Sequence, residues 1–352
     1  MQRQVGSLNL NQSVKSKLIS AGITSTRDLQ HVTATQLSSE TNLSQVEALE
    51  VLQVSSGVGV VSLSALELLQ REEEEPKSIV TFCSQLDAAL TGGVPVGKIT
   101  EICGTPGTGK TQLCFQLAVD VQVPPCFGGL GGQVVFIDTE GSFLLQRIVD
   151  VAAAAVQHCS LLAEDDEQRV AMTTFSVDTI LSNIFLVRCR DYVELLAELH
   201  MLPDFLCEHP KVRLLVIDSL AFLFRQHFEE LSQRTRILNG LAQQLIAMAT
   251  SQNMAVVLTN HMTTRLHSGR SQLVPALGDS WGHAPTIRLL LHWAGLKRLA
   301  AIFKSSGHMD CTVQYQLTSD GFRDADQSEQ PQSKRPRTHS SQSAVSTTET
   351  GS

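Results

Sequence analysis

The chain has 352 residues, 42% hydrophobic and 18% charged, with a formal net charge of −8. This composition excludes a largely disordered or collagen-like chain and is enough for one large domain with a small one. No apolar run reaches the ~20 residues of a membrane span and the N-terminus has no signal-peptide pattern, so neither a membrane partner nor secretion is expected.

Residues 1–55 are expected to form a small unit of four or five helices. Val14, Leu18 and Ile19 sit at helical spacing, and Gly22 ends that segment as a left-handed cap would. Thr26–Leu29, Thr35–Leu37 and Ser44–Leu52 suggest further short helices, with Ser44 and Glu47 as a capping box. The unit reads equally well as a helical cap and as a DNA-binding or docking module. Residues 56–78 read as a linker. It holds one short apolar piece, Ala65–Leu69, and a glutamate run, Glu72–Glu75, whose repulsion favours an extended path.

From 79 to 325 strands and helices alternate, which predicts an α/β domain with a mostly parallel central sheet. Ile99–Gly104 reads as a short buried strand. Gly104-Thr105-Pro106-Gly107-Thr108-Gly109-Lys110-Thr111 follows, and an apolar-periodic helix begins with Gln112. The pattern Gly-x-x-x-x-Gly-Lys-Thr is that of a phosphate loop. Its glycines let successive N–H groups converge on phosphate oxygens, and the helix that starts there adds the positive end of its dipole. Lys110 brings a full charge to the β- and γ-phosphates and Thr111 a hydroxyl ligand for Mg²⁺. The stretch predicts a nucleoside triphosphate site with ATP and Mg²⁺ as its occupants.

Gln133–Asp138 reads as the next strand and Phe143 to about Gln157 as a helix, with a polar break at Glu164–Glu167. Ile184–Arg188 and Val212–Asp218 read as strands, Tyr192–Cys207 and Leu231–Gln252 as helices, and Met254–Asn260 as another strand. Asp218, at the end of an apolar run, is the expected second metal-holding residue with Thr111. Hydrolysis also needs a carboxylate within reach of the attacking water. Glu140 is the candidate, with Asp138 as a structural partner; alternatively Glu140 only caps the next helix. Met262–Gly282 is long and polar enough to be a mobile functional loop. Ile287–Trp293, Arg298–Phe303 and Cys311–Leu317 read as closing antiparallel strands.

After 325 the composition collapses to Ser, Gln, Thr and Glu, which predicts a disordered tail over 326–352. Lys334, Arg335 and Arg337 form a short basic cluster there, readable as a nuclear-import signal or as a solvated patch. The first reading places the protein in the nucleus, with a cytoplasmic pool alongside. A chain of net negative charge reaches nucleic acid only through a local basic surface. Eight scattered cysteines, none in a Cys-x-x-Cys pair, argue against zinc and fit a reducing compartment.

Taken in order, these motifs resemble the RecA/RadA recombinase family, nearest its eukaryotic paralogues. The resemblance is carried by Thr81–Pro95, Gly104–Thr111, Phe136–Phe143, Leu215–Asp218, Leu258–Asn260 and Ser280–Ala284, and covers about 10–325. It implies a RecA-like ATPase core and ATP-dependent assembly on single-stranded and branched DNA in homologous recombination. Glu140 matches the family's water-activating glutamate, Arg147 an arginine near the adenine, and His261 the position that senses the γ-phosphate. Two DNA loops correspond to the regions 225–236 and 262–283, where Arg225, Arg234, Arg265 and Arg270 would meet phosphates.

Three departures stand out. His261 replaces the family's glutamine, so the charge of this group varies near neutral pH. Ser62-Leu-Ser-Ala65 lacks the aromatic anchor of self-assembling members, which favours small hetero-oligomers with related paralogues over long filaments. Asn42-Leu-Ser stands where the N-terminal helix hairpin turns on glycine, and Asn tolerates that turn. The expected function is a weak, DNA-stimulated ATPase subunit of a recombinase paralogue complex in double-strand break repair. The alternative is an assembly adaptor whose nucleotide only locks the conformation.

Overall fold

The computed structural model describes residues 4–8, 10, 12–29, 32–44, 47–48, 51–52, 55, 78–225, 228, 230–267, 270–305 and 311–325. The expected linker motif, the basic cluster at 334–337 and the tail lie outside these residues. The chain separates after Glu75 into two units.

In the first unit, α1 (Gln12–Ser20) and α2 (Ala34–Thr41) bury Val14, Leu18 and Leu37 with Val5, Leu8, Leu29 and Leu43. Ile19 is 52% exposed: one residue past Leu18 rotates it 100° off the buried face. Thr26–Leu29 is a turn rather than the expected helix. The Asp28 carboxylate accepts the N–H groups of Thr24 (3.0 Å) and Ser25 (2.8 Å), a local alternative to helical bonding. Ser44 and Glu47 make the reciprocal bonds of a capping box, at 2.8 and 3.2 Å. Gly22 (φ 83°) and Asn42 (φ 53°) take the left-handed turns.

The second unit is built on one nine-stranded sheet. Its parallel part runs β10 (Ile287–Ala294), β3 (Ile99–Gly104), β7 (Ala255–Asn260), β6 (Val212–Asp218), β4 (Gln133–Asp138) and β5 (Ile184–Arg188). Beyond β10, β11 (Lys297–Lys304), β12 (Cys311–Thr318) and β13 (Gly321–Asp324) continue antiparallel. Two short strands, β1 (Ser78–Ile79) and β2 (Val94–Pro95), pair with each other outside this sheet.

Strand periodicity divides the core. Along β6, Leu214 and Val216 face α4 (Lys110–Asp120) and α5 (Leu145–Leu162), while Leu215 and Ile217 face α8 (Tyr192–Glu208) and α10 (Leu231–Ser251). Buried on both faces, the central strands are near-continuous apolar runs. All parallel strands therefore end on one side, and β3, β4, β6 and β7 deliver Gly104, Asp138, Asp218 and Asn260 to one rim.

Three regions differ from the sequence reading. The stretch around Glu164–Glu167 starts a helix rather than only breaking one: Asp165 and Gln168 form a capping box for α6 (Asp166–Met172), and α7 (Val177–Ser182) follows. Met262–Gly282 is largely ordered as a hairpin of β8 (Met262–His267) and β9 (Arg270–Pro275), not an irregular loop, and ends in a short 3₁₀ turn at Trp281–His283. Its apolar and β-branched residues pair across the strands, Thr263 with Val274 and Thr264 with Leu273. Finally, β13 was not anticipated. Its last residue, Asp324, accepts the N–H groups of Ser84 (2.8 Å) and Gln85 (3.0 Å) at the start of α3 (Ser84–Ala89).

A candidate nucleotide site at the rim of the sheet

The loop from Gly104 to Thr111 links β3 to α4. Gly104 has no room for a side chain: a Cβ there would lie 2.6 Å from the Leu291 carbonyl oxygen on β10. Gly109 caps α4 at φ 100°, a conformation that glycine alone adopts without strain. The Thr108 hydroxyl donates to the Thr105 carbonyl (2.8 Å), and the Tyr315 hydroxyl on β12 braces the Thr108 carbonyl. The first backbone bond at the start of α4 is that of Leu113 N–H to the Gly109 carbonyl (2.9 Å), so the N–H groups of Lys110, Thr111 and Gln112 have no partner within the helix. The loop is thus a pre-formed cluster of donors at a helix N-terminus.

Lys110 donates to the carbonyls of Gly104 (3.0 Å) and Thr105 (3.3 Å). Burial lowers its pKa, while Asp218 and Glu140 pull it back up. Burial conversely pushes the Asp218 carboxyl up, against the hydroxyl of Thr259. One Asp218 oxygen accepts from Thr259; the other, Oδ2, is buried with no hydrogen-bond partner. A buried carboxylate oxygen left bare in this way is costly without a cation. Together with the Thr111 hydroxyl it fits a hard divalent metal that completes its shell with water and phosphate. No cluster of three or more His, Cys, Asp or Glu with metal-ligand geometry occurs among the described residues.

Asp138 organises the segment beside it. Its Oδ1 accepts the N–H groups of Glu140 (3.2 Å), Gly141 (2.8 Å) and Ser142 (3.1 Å), and its Oδ2 that of Phe143 (3.2 Å) and Arg188 Nε (3.2 Å). The strand-end carboxylate therefore fixes the backbone that carries Glu140. Glu140 does not cap the following helix: Leu144 occupies that position without a side-chain cap. Its Oε1 lies 2.8 Å from His261 Nε2 and also accepts from the Ser219 hydroxyl. These contacts, His261 first, hold the Glu140 pKa below its usual range against burial.

The other arginines divide. Arg147 donates to Gln112 (2.7 Å), Thr318 (2.7 Å) and Ser319, bridging α5, α4 and the β12–β13 turn. Arg234, in the second turn of α10, donates to the carbonyls of Phe224 (2.9 Å) and Ala276 (3.1 Å) and is half-buried. Arg265 is exposed on β8 and ion-paired with Asp279 (2.8 Å). Arg225, exposed at the end of α9 (Leu220–Phe224), places Nη1 3.3 Å from His261 Nδ1. Arg270 lies on β9.

One site residue escaped the sequence reading. Glu101, fully buried in the middle of β3, accepts from Asn260 (2.7 Å), Trp281 (2.8 Å) and Arg288. It thereby holds the residue before His261. The signal was available: a glutamate in an otherwise apolar buried strand requires partners.

Comparisons agree with this architecture. The profile of a family described as Rad51 matches residues 73–325. The "DNA repair protein RAD51 homolog 3" of Cricetulus griseus is 48% identical over 341 residues, covering 92% of this chain and 93% of that protein. The protein of the same name from Dictyostelium discoideum is 40% identical over 266 residues, covering 74% of this chain and 69% of that one. With the phosphate loop, the paired acids and the sheet order already in place, the chain belongs to the Rad51 family.

Proposed function

We propose that the protein is an ATP-binding, Mg²⁺-dependent ATPase subunit of a recombinase paralogue assembly, acting on single-stranded and branched DNA in homologous recombination and double-strand break repair. The observation that carries this reading is the row of free helix-start donors at Lys110, Thr111 and Gln112, set beside the Lys110 ammonium and the bare Oδ2 of Asp218. Thr111 and Asp218 would hold the metal, which when bound supplies Lewis-acid charge to the phosphate oxygens. The backbone amides and Lys110 bind the triphosphate; Lys110 leaves its two carbonyl contacts to do so. Gln112 and Arg147, joined to each other, flank the far side of the loop and position the base. Glu140 accepts the proton of the attacking water, and His261 reads the γ-phosphate.

The exposed residues Arg225 and Arg265, together with Arg270 on β9, meet DNA, whereas Arg234, spent on two carbonyls, supports the loop that presents them. The basic cluster at Lys334, Arg335 and Arg337 serves nuclear import. Partners are related paralogues in small hetero-oligomers.

One observation favours the adaptor reading beside this one: Glu140 is held by two donors, which slows turnover and prolongs the bound state. Hydrolysis and DNA-repair complementation by Glu140→Gln separate the two. Loss of both supports the ATPase; full repair without hydrolysis supports the adaptor.

A further inference from the structure

Two contacts on one imidazole go beyond that assignment. Arg225 Nη1 lies 3.3 Å from His261 Nδ1, and His261 Nε2 lies 2.8 Å from Glu140 Oε1. A guanidinium has only hydrogens to give. Nδ1 facing it must therefore be the unprotonated nitrogen, which leaves the ring hydrogen on Nε2, aimed at Glu140. Ser219 adds a second donor to the same carboxylate oxygen and approaches the same ring nitrogen at 3.3 Å. Glu140 is in this way held by two hydrogens, one of them set by an arginine 85 residues further along the chain, exposed at the end of α9.

We infer that Arg225 is a positioning residue for the hydrolytic carboxylate: it fixes His261 as an Nε2–H donor that keeps Glu140 parked, and a phosphodiester that engages Arg225 releases it. The inference rests on Glu140 being the base. It concerns regulation of that site rather than the site itself. The chain is short, Arg225 to His261 to Glu140, and each link is a single hydrogen bond. A phosphate at the guanidinium competes with Nδ1 on favourable terms, because a charge-assisted bond to a phosphodiester, whose single negative charge is shared by its two free oxygens, outweighs one to a neutral ring nitrogen. Once Nδ1 loses its donor, the ring is free to carry its hydrogen there, and Nε2 then turns a lone pair toward Glu140 instead of a hydrogen.

The test is a ¹⁵N spectrum of the full chain labelled at histidine, with the His261 signals identified by their loss in His261→Gln. The wild type is expected to show an unprotonated Nδ1 and a protonated Nε2. Arg225→Lys, which keeps a donor, should retain that pattern; Arg225→Ala should lose it, and so should the wild type on adding an oligodeoxythymidine. The same ring state in Arg225→Ala as in the wild type overturns the inference. A second readout is turnover of ATP: Arg225→Ala should raise the rate without oligonucleotide by about threefold, the size one net hydrogen bond supports, and abolish further stimulation. Undiminished stimulation in Arg225→Ala also overturns the inference. Should the wild type fail to hydrolyse ATP at all, the ATPase reading falls, while the ring spectra still decide the role of Arg225.

Discussion

Two buried carboxylates lie on neighbouring parts of the same sheet and behave in opposite ways. Glu101, midway along β3, is surrounded by three donors, from Asn260, Trp281 and Arg288. Asp218, at the tip of β6, has one donor and one bare oxygen. The first is a closed network, built to hold β3, β7 and β10 in register. The second is an open one, paid for by the fold and, in the proposed function, completed by a metal ion. In a parallel sheet the middle of a strand can be satisfied by its neighbours, but the C-terminal tips face a crevice.

Predictions sharpen this contrast from the largest effect downward. Replacing the proposed base, Glu140→Gln, is expected to lower ATP turnover by about a thousandfold while nucleotide binding survives; single-turnover hydrolysis measures the first and titration with a fluorescent ATP analogue the second. Glu101→Ala should cost about 3 kcal/mol in urea unfolding, because it leaves the mostly buried Arg288 guanidinium without its carboxylate and Asn260 and Trp281 without their acceptor. A midpoint unchanged within error would mean that the closed network is not structural. Lys110→Ala is expected to weaken ATP binding by about a hundredfold, the weight of one charge-assisted contact of roughly 2–3 kcal/mol.

For Asp218 the sign reverses. Burial raises its pKa, so charging it works against folding. That penalty is absent below the ordinary carboxylate pKa of about 3.9 and in full force once the pH exceeds the raised value. Asp218→Asn should therefore stabilise the nucleotide-free protein by about 1 kcal/mol at pH 7, and by less near pH 4, while weakening metal-dependent ATP binding. Equal stability gains at both pH values would contradict the open-network reading. The smallest effect concerns the exposed hairpin: replacing Arg265 and Arg270 together should flatten the salt dependence of single-strand binding by about 1.4 in log–log slope.

Much of this was legible in the sequence, for identifiable reasons. The strands Ile184–Arg188 and Val212–Asp218 were read to the residue, because both are apolar runs bounded by polar or turn-forming residues. The phosphate loop was legible because glycine spacing constrains the backbone directly. What escaped depends on contacts distant in sequence. Nothing local tells that Glu101 meets Arg288, 187 residues away, or that His261 is wedged between Arg225 and Glu140. The arginines illustrate the same limit: Arg234 and Arg265 look alike as letters, yet one is consumed by backbone carbonyls and the other is exposed. The hairpin at 262–275 was misread because polar strands exposed on both sides lack the alternation that marks a half-buried strand.

The bond between Asp324 and the first turn of α3 has a mechanical meaning. It fastens the last strand to a helix 240 residues earlier, so tension applied at residue 325 falls on Ser84 and Gln85 and on the β12–β13 ladder together. A chain pulled from that end would load a helix at the start of its second unit as soon as it loads its last strand.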